Sequence, residues 1–108
     1  KLPSLAQKSE KDPSARITLS EEEWGEILQT VNEAFDGFTK RLAEAYPLMT
    51  EKDLRFCCLV KLNVNMKDLS DIYCVSKAAI SKRKFRIKTE KMTVTDEQLS
   101  LDDFLRSF

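Results

Sequence analysis

The stretch "NMKDLSDIYCVSKAAISKRKFRIK", residues 65–88, decides the fold because it predicts two short helices with almost no chain between them. Asn65 and Ser76 each suit an N-cap, since a short polar side chain can accept a hydrogen bond from a backbone N–H in the first turn of a helix. In the second helix, Ile80 and Ile87 are spaced to lie on one face. The stretch therefore predicts two packed helices joined by a tight turn.

A more apolar helix is predicted before this pair, and a short one after it. The segment "TEKDLRFCCLVKLN", residues 50–63, begins with a capping box of Thr50 and Asp53, and its apolar residues cover more than one face, as in a central helix. "SLDD" at 100–103 is a further capping box. No segment alternates with period two for long enough to predict a strand. Residues 48–108 are thus expected to form an all-α helix-turn-helix domain that ends in a short C-terminal helix.

The segment before this domain predicts a helical extension, residues 20–47. Ser20 and Glu23 can form a capping box, and the apolar residues that follow are separated by alternating gaps of four and three residues, which is heptad spacing. They are Trp24, Leu28, Val31, Phe35, Phe38, Leu42 and Ala45. "FDGF" at 35–38 interrupts this seam: Asp36 could cap a second helix, and Gly37 disfavours a continuous one. One kinked helix and two separate helices both fit, and we favour two. Residues 1–19 are rich in proline and serine and predict a linker from an upstream domain.

The charge of the chain is zero in total but unevenly distributed. Residues 50–92 hold 11 basic and 5 acidic side chains, whereas the segments on both sides are net acidic. Such asymmetry predicts an anionic partner for the middle segment.

Cysteine and histidine usage narrows the class of protein. Three cysteines, no histidine and no CxxC pair argue against a disulfide framework and against a zinc site, so we expect no metal and no cofactor. Reduced core thiols and the lack of a membrane-length apolar run are typical of a cytoplasmic protein. There is no Gly-rich phosphate loop, nucleophile elbow or apolar carboxylate pair, so we expect no enzyme.

One face of the helix predicted for residues 76–91 gathers the positive charge. With Ile80 and Ile87 toward the core, a spacing of 100° per residue puts small, basic and aromatic side chains on the opposite face and along its edges. These are Ala78, Ser81, Lys82, Phe85, Arg86, Lys88 and Thr89. Small residues allow close approach to a major groove, while Lys and Arg reach guanine or phosphates and an aromatic ring contacts a thymine methyl. A solvated charged face normally mixes signs, but Glu90 is the only acid between residues 76 and 92.

Residues 49–88 resemble the LuxR-type helix-turn-helix. Met49-Thr50 stands where that family has Leu-Thr, Asp53 stands where it has an acidic residue, and Val75-Ser76 resembles its Ile-Ser before the last helix. The start of the second helix and the buried pair of the third are matched by Asn65, Lys67, Asp68, Leu69 and Ser70 and by Ala79 and Ile80. Lys91 departs from the family, which has an aliphatic residue there, and Met92 is expected to supply the missing apolar contact.

A closer resemblance is to a subgroup in which this domain ends a regulator with tetratricopeptide-like repeats. The residues that carry it are Trp24, Tyr46-Pro47, Cys57 and Phe104-Leu105. The resemblance implies a sequence-specific DNA-binding domain of a transcriptional regulator, with residues 76–91 as the recognition helix in the major groove.

The same resemblance assigns roles to individual residues. Ser81, Lys82 and Phe85 would face the bases, and Lys67 would meet a phosphate beside the start of the second helix. Further contacts to the flanking backbone are implied for Lys77, Lys84, Arg86 and Lys88. Arg83 lies toward the core and is expected to pair with Asp53 or Asp68.

The implied partners are double-stranded DNA, an upstream sensor or helical-repeat domain, and RNA polymerase. The heptad seam is either an intramolecular clamp on the domain or a coiled-coil dimer seam. Because regulators of this family act on paired half-sites, we favour a homodimer through Trp24, Leu28, Val31, Phe35, Phe38 and Leu42. The alternative function is a protein-interaction module, similar to sigma-like domains, that binds an acidic partner surface.

Overall fold

Six α-helices and no strand are found in the computed structural model, which describes residues 19–108. The helices are α1 Glu21–Ala34, α2 Phe38–Ala45, α3 Glu51–Lys61, α4 Met66–Tyr73, α5 Lys77–Arg86 and α6 Leu101–Ser107. A π-helical turn, Ile87–Lys91, continues α5. The all-α prediction is confirmed for these residues. The linker predicted for residues 1–19 lies, apart from Leu19, outside the described residues.

The N-caps predicted from the sequence are confirmed at five helices. Ser20, Thr50, Asn65, Ser76 and Ser100 each accept a hydrogen bond through the side-chain oxygen from the backbone N–H three residues later, at 2.8–3.2 Å. Each cap satisfies one of the backbone donors that a helix leaves unpaired in its first turn. Local sequence thus sets where these five helices begin.

The "FDGF" interruption separates two helices rather than kinking one. Asp36 and Gly37 both have positive φ angles, 55° and 68°, which suit glycine and turn the chain sharply. The sequence suggests Asp36 as the cap of α2, but its side chain makes no capping hydrogen bond there. The start of α2 is instead held by Asn32, whose Oδ1 accepts hydrogen bonds from the Thr39 backbone N–H and hydroxyl at 2.9 and 3.0 Å.

Helix α3 lies at the centre of one continuous apolar core. Phe56, Cys57, Cys58 and Leu59 are fully buried in it. The heptad seam of α1 and α2 packs into this same core: Trp24, Val31, Phe38 and Leu42 are buried, and Leu28 and Phe35 are partly buried against it. The seam therefore acts as an intramolecular clamp in this chain, and the homodimer stays a prediction.

Helices α4 and α5 are joined by a turn of three residues, 74–76. Cys74 adopts the left-handed conformation that ends α4, and the Ser70 hydroxyl donates to the Val75 carbonyl at 2.7 Å across the turn. Ile80 and Ile87 are 1% and 3% exposed, which confirms the core side predicted for α5. Met92 is buried as well, and it supplies the apolar contact expected after Lys91.

Helix α6 packs against α3. Leu101 and Leu105 are buried, and Lys61 donates through Nζ to the carbonyls of Leu105 and Arg106 at 2.6 and 3.1 Å. Because a cation at the C-terminal end of a helix satisfies unpaired carbonyls, this contact fixes the end of α6 on α3. The chain between Met92 and α6 runs along one side of α5, where the Asp96 and Leu99 carbonyls accept from Lys88.

Candidate nucleic-acid interface

The face of α5 opposite the core is exposed, as the sequence predicts. Ala78, Ser81, Lys82 and Phe85 are all exposed on it and are hereafter called the outward face. Lys82, and Lys77 at the start of the helix, have no ion pair within residues 19–108. The structure thus brings together small, cationic and aromatic side chains on one surface with no acid paired to the two lysines.

Phe85 is 59% exposed, although a ring of this size is usually at least half covered. Together with Leu48 and Val75 it is one of three large apolar side chains exposed in the described part of the chain. The Lys88 ammonium lies 5.8 Å from the centroid of the Phe85 ring. An exposed ring beside cations is suited to contact with a base or with an apolar group of a partner.

Lys84 and Lys88, expected to contact the DNA backbone, are used inside the chain. Lys84 forms an ion pair with Asp102 of α6 at 3.0 Å. Lys88 is only 5% exposed, and its Nζ donates to the carbonyls of Asp96 and Leu99 at 3.0 and 2.9 Å. The C-terminal segment folds back along α5 and satisfies both ammonium groups, so neither is free at the surface, and their contact with DNA stays a prediction. This side of the helix is hereafter called the α6 flank.

The opposite side, the α3 flank, places α5 against the start of α3. Arg83 lies over the rings of Phe56 and Tyr73, with its Cζ 4.7 and 5.0 Å from their centroids. Its Nη2 is 3.9 Å from Asp53, so the predicted pairing with Asp53 is confirmed, but at a long distance. Cation–π contacts with this tilted pair of rings favour one position of the guanidinium.

Asp53 is the buried acid of this flank, at 8% exposure. Burial by itself would raise the pKa of Asp53, but hydrogen bonds from Thr50 and the ammonium of Lys91, 3.5 Å away, lower that pKa below its ordinary value. The carboxylate is therefore ionised at neutral pH. Lys91 is not among the site residues predicted from the sequence. Its position, a cation where the resembling family has an aliphatic residue, is the feature of the sequence that could have indicated a role.

Two other predicted contacts lie on the surface with acidic neighbours. Lys67 forms an ion pair with Asp71 at 2.9 Å, and this hydrogen bond raises the pKa of Lys67. Arg86 is exposed, and its Nε lies 3.6 Å from Glu90. Both cations are thus accessible, but Lys67 is already neutralised by a short contact and Arg86 by a long one.

Cys57 and Cys58 lie in the core, and Tyr73 contributes its ring, through the contact with Arg83, to the α3 flank. Burial raises the pKa of the Cys57 thiol well above its ordinary value and that of Cys58 to about 12, so both stay protonated and behave as core residues. Burial likewise raises the pKa of Tyr73 to about 12. Cys74 is exposed in the turn before α5.

Two further findings concern other kinds of site. Residues 19–108 contain no group of three or more His, Cys, Asp or Glu side chains that could hold a metal ion. Over the same range no helix is both long enough and apolar enough to cross a membrane.

Comparison of the chain with family models, with curated proteins and with solved structures gives no match. The function of the chain is therefore inferred from its residues and from the geometry of α4, α5 and their flanks.

Proposed function

We propose that this chain is a sequence-specific DNA-binding domain of a transcriptional regulator, a LuxR-like helix-turn-helix in which α5 enters the major groove. The observation that carries the proposal is the outward face of α5, where exposed Ala78, Ser81, Lys82 and Phe85 lie opposite a buried Ile80. A helix needs small residues for close approach and unpaired donors for recognition if it is to read base edges.

The roles within this face follow from side-chain chemistry. Lys82 projects from the middle of the exposed surface and would donate to guanine O6 or N7. Ser81 is short and suits a polar contact at either type of base pair, while Phe85 would pack on a thymine methyl. Lys84 and Lys88 are left out of the proposed interface, because their ammonium groups are bound within the chain and both residues are largely covered, whereas the Lys67 side chain is 56% exposed.

Phosphate contacts would position the helix on the duplex. Lys77 lies at the N-terminus of α5, where backbone N–H groups and the helix dipole also favour an anion. Lys67 and Arg86 flank the outward face on α4 and on the last turn of α5. With about four to six phosphates neutralised, the logarithm of affinity should fall with the logarithm of salt at a slope of roughly −4 to −5.

The wider partners are part of the same proposal. A homodimer would place two copies of α5 on paired half-sites, and an upstream sensor or helical-repeat domain and RNA polymerase would couple binding to transcription. An apolar surface for self-association would have to come from outside the buried seam, since its side chains already fill the chain's own core.

A protein-interaction module is the second candidate function. It is favoured by one observation, the large exposed ring of Phe85 next to cationic side chains. In that case an acidic and apolar partner surface, rather than a duplex, would cover the outward face. Binding that depends on Phe85 but shows no response to duplex DNA would favour this second function.

Replacement of Lys82 by alanine tests the DNA proposal most directly. Sequences selected from random DNA by the wild-type chain supply the preferred duplex, and a scrambled duplex supplies the reference. We expect Lys82→Ala to cost about 1–3 kcal/mol of binding on the preferred duplex and to relax the preference at one base position, because a donor to a base edge is lost. Salt titrations of affinity on both duplexes measure this.

Two results would contradict the assignment. If the wild-type chain binds no duplex at low salt, the DNA-binding proposal is wrong. If Lys82→Ala weakens the preferred and scrambled duplexes equally, Lys82 contacts phosphate rather than a base, and the proposed orientation of α5 is wrong.

A further inference from the structure

A cleft of about 380 Å³ opens on the α3 flank, between the start of α3 and the C-terminal half of α5 with its π-helical turn. Four cationic and two acidic side chains line it: Lys82, Arg83, Arg86, Lys91, Asp53 and Glu90. The cleft adjoins the outward face, since Lys82 belongs to both. Its lining carries an excess of two positive charges.

The cations of this cleft are loosely paired. Lys91 Nζ lies 3.5 Å from Asp53, Arg83 Nη2 lies 3.9 Å from Asp53, and Arg86 Nε lies 3.6 Å from Glu90. A charge-assisted hydrogen bond between such groups is about 2.7–2.9 Å long, and a contact of about 3.6 Å is not a hydrogen bond. Arg83 and Lys91 also donate to the carbonyls of Lys52 and Leu48, but only at 3.4 Å each. None of these contacts is short, so the donors of the cleft keep capacity for an added anion.

The α6 flank of the same helix shows what full pairing looks like in this chain. Lys84 reaches Asp102 at 3.0 Å, and Lys88 reaches two carbonyls at 2.9 and 3.0 Å. Both flanks carry cations, but the α6 flank brings acceptors within about 3.0 Å of its two lysines. On the α3 flank the acceptors of Arg83 and Lys91, which include the Lys52 and Leu48 carbonyls, lie at 3.4 Å or more. The difference lies in the acceptors that the fold supplies rather than in the residue type.

Two features prepare the cleft for an anion. The Arg83 guanidinium lies over the rings of Phe56 and Tyr73, so less side-chain freedom remains to be lost on binding. Asp53 accepts the Thr50 backbone N–H at 3.0 Å and is therefore anchored at the back of the cleft. It draws Arg83 and Lys91 together without making a short contact to either.

We propose that this cleft binds a phosphate group, and that the group belongs to the DNA strand running beside α5. The inference rests on the proposed function and adds Lys91 and Arg83 to the interface as phosphate contacts. A phosphate oxygen offers the acceptors that the long ion pairs lack, and guanidinium and ammonium groups are the usual donors to it. The strand on the other side of α5 would meet a flank whose cations are already satisfied.

The test compares Lys91→Gln with Lys84→Gln as a matched control. Each substitution removes one positive charge from the segment 84–91, so the general attraction of DNA changes alike. We expect Lys91→Gln to reduce affinity for a random duplex about three- to tenfold at low salt and to lower the salt slope by about one. Lys84→Gln should lower the slope much less, because its charge is already paired with Asp102.

A second pair of variants guards against a Lys91→Gln chain that does not fold. Glu90→Gln removes the acid at the rim of the cleft and releases Arg86, so it should strengthen binding to the duplex. Asp103→Asn on α6, whose carboxylate pairs with Arg106 at 3.0 Å, removes the same charge far from the cleft and should strengthen binding less. Equal effects within both pairs would overturn the cleft as a phosphate site.

The source of the phosphate is settled by the Arg83 Nε–H resonance in ¹⁵N spectra of the wild-type chain. We expect it to shift on addition of duplex and to respond only weakly to inorganic phosphate at the same phosphate concentration. A shift with inorganic phosphate but not with bound duplex would overturn the assignment to DNA. If the chain binds no duplex, the proposed function fails; if it binds duplex while Lys91→Gln matches Lys84→Gln, only the cleft inference fails.

Discussion

In the heptad seam, residues 24–42, and in the outward face of α5, side chains of one kind lie along one side of a helix, and each pattern predicts a surface that packs against it. For the seam this surface is either the rest of the chain or a second copy, and for the outward face it is a partner molecule. In the structure the seam packs on α3, and four of its six predicted interface residues are buried within the chain. The outward face has no such cover, and Phe85 and Lys82 remain exposed. A pattern of side chains thus indicates that a partner surface is needed, but not whether the chain itself provides it.

The physical reason for the difference is what each pattern requires. An apolar stripe is satisfied by any apolar surface of matching shape, because burial of apolar area is not directional. Helix α3 is apolar on more than one face and offers such a surface to α1 and α2. A cation requires an acceptor at a defined distance, and the acidic residues of the C-terminal segment supply one to Lys84 but not to Lys82.

Replacement of Phe38 by aspartate should have the largest effect on this comparison. Phe38 is fully buried and its ring contacts Phe108 edge to face at a centroid distance of 6.0 Å. We expect Phe38→Asp to lower the free energy of unfolding by about 3–5 kcal/mol, because apolar contacts are lost and a charge is left unpaired in the core. Urea unfolding of both chains measures the change.

A control on the same helix separates packing from charge. Lys40 is exposed on α2, and Lys40→Glu should change the stability by less than about 0.5 kcal/mol. If Phe38→Asp were as stable as the control but shifted the sedimentation of the chain from dimer to monomer, the seam would be a surface between subunits and its burial within one chain would be wrong.

Lys88→Met should have the next largest effect, and it acts on the closed side of α5. Methionine keeps much of the apolar stem but cannot donate to the carbonyls of Asp96 and Leu99. We expect a loss of about 1–3 kcal/mol in the free energy of unfolding, since two partly buried hydrogen bonds from a charged donor are lost. Lys82→Met, on the open side, should leave stability within about 0.5 kcal/mol of wild type.

For DNA binding we expect the reverse order of effects, with Lys82→Met the more damaging of the two substitutions. Under conditions where both variants are folded, Lys82→Met should weaken binding to a preferred duplex and Lys88→Met should not. A Lys88→Met chain of wild-type stability that binds DNA more weakly would mean that Lys88 lies at the interface, as the sequence alone suggested.

Much of the fold was predictable because its signals are local. Five N-caps, the all-α class and the buried Ile80 and Ile87 follow from spacing and side-chain chemistry within a few residues. The break at "FDGF" was predictable only as an alternative, since the stabilising contact comes from Asn32 rather than from Asp36. Capping from outside the tetrapeptide leaves no sign within it.

The candidate site was less predictable because its pairing depends on contacts distant in sequence. Helical spacing of 100° per residue placed Lys82 and Phe85 on the outward side correctly. It could not show that residues 93–102 return along α5 and bind Lys84 and Lys88. It also could not show that Arg83 stacks on Phe56, 27 positions earlier in the sequence. Distances to such acceptors decide which cations remain open, and sequence spacing does not contain them.

Replacement of Lys67 should have the smallest effect, and it tests whether an exposed cation must also be unpaired to bind DNA. Lys67 is exposed like Lys77, but Asp71 lies 2.9 Å from its ammonium and already neutralises the charge that would displace a counterion from a DNA phosphate. We therefore expect Lys77→Ala to lower the salt slope by about one and Lys67→Ala to lower it clearly less. Both should weaken binding to the preferred and scrambled duplexes alike, because neither side chain is expected to reach a base.

Asp71→Asn supplies the complementary test, since it frees Lys67 and should make the salt slope steeper. Equal losses for Lys67→Ala and Lys77→Ala, with no gain for Asp71→Asn, would show that the ion pair opens when DNA binds and that pairing within the chain does not limit an exposed lysine.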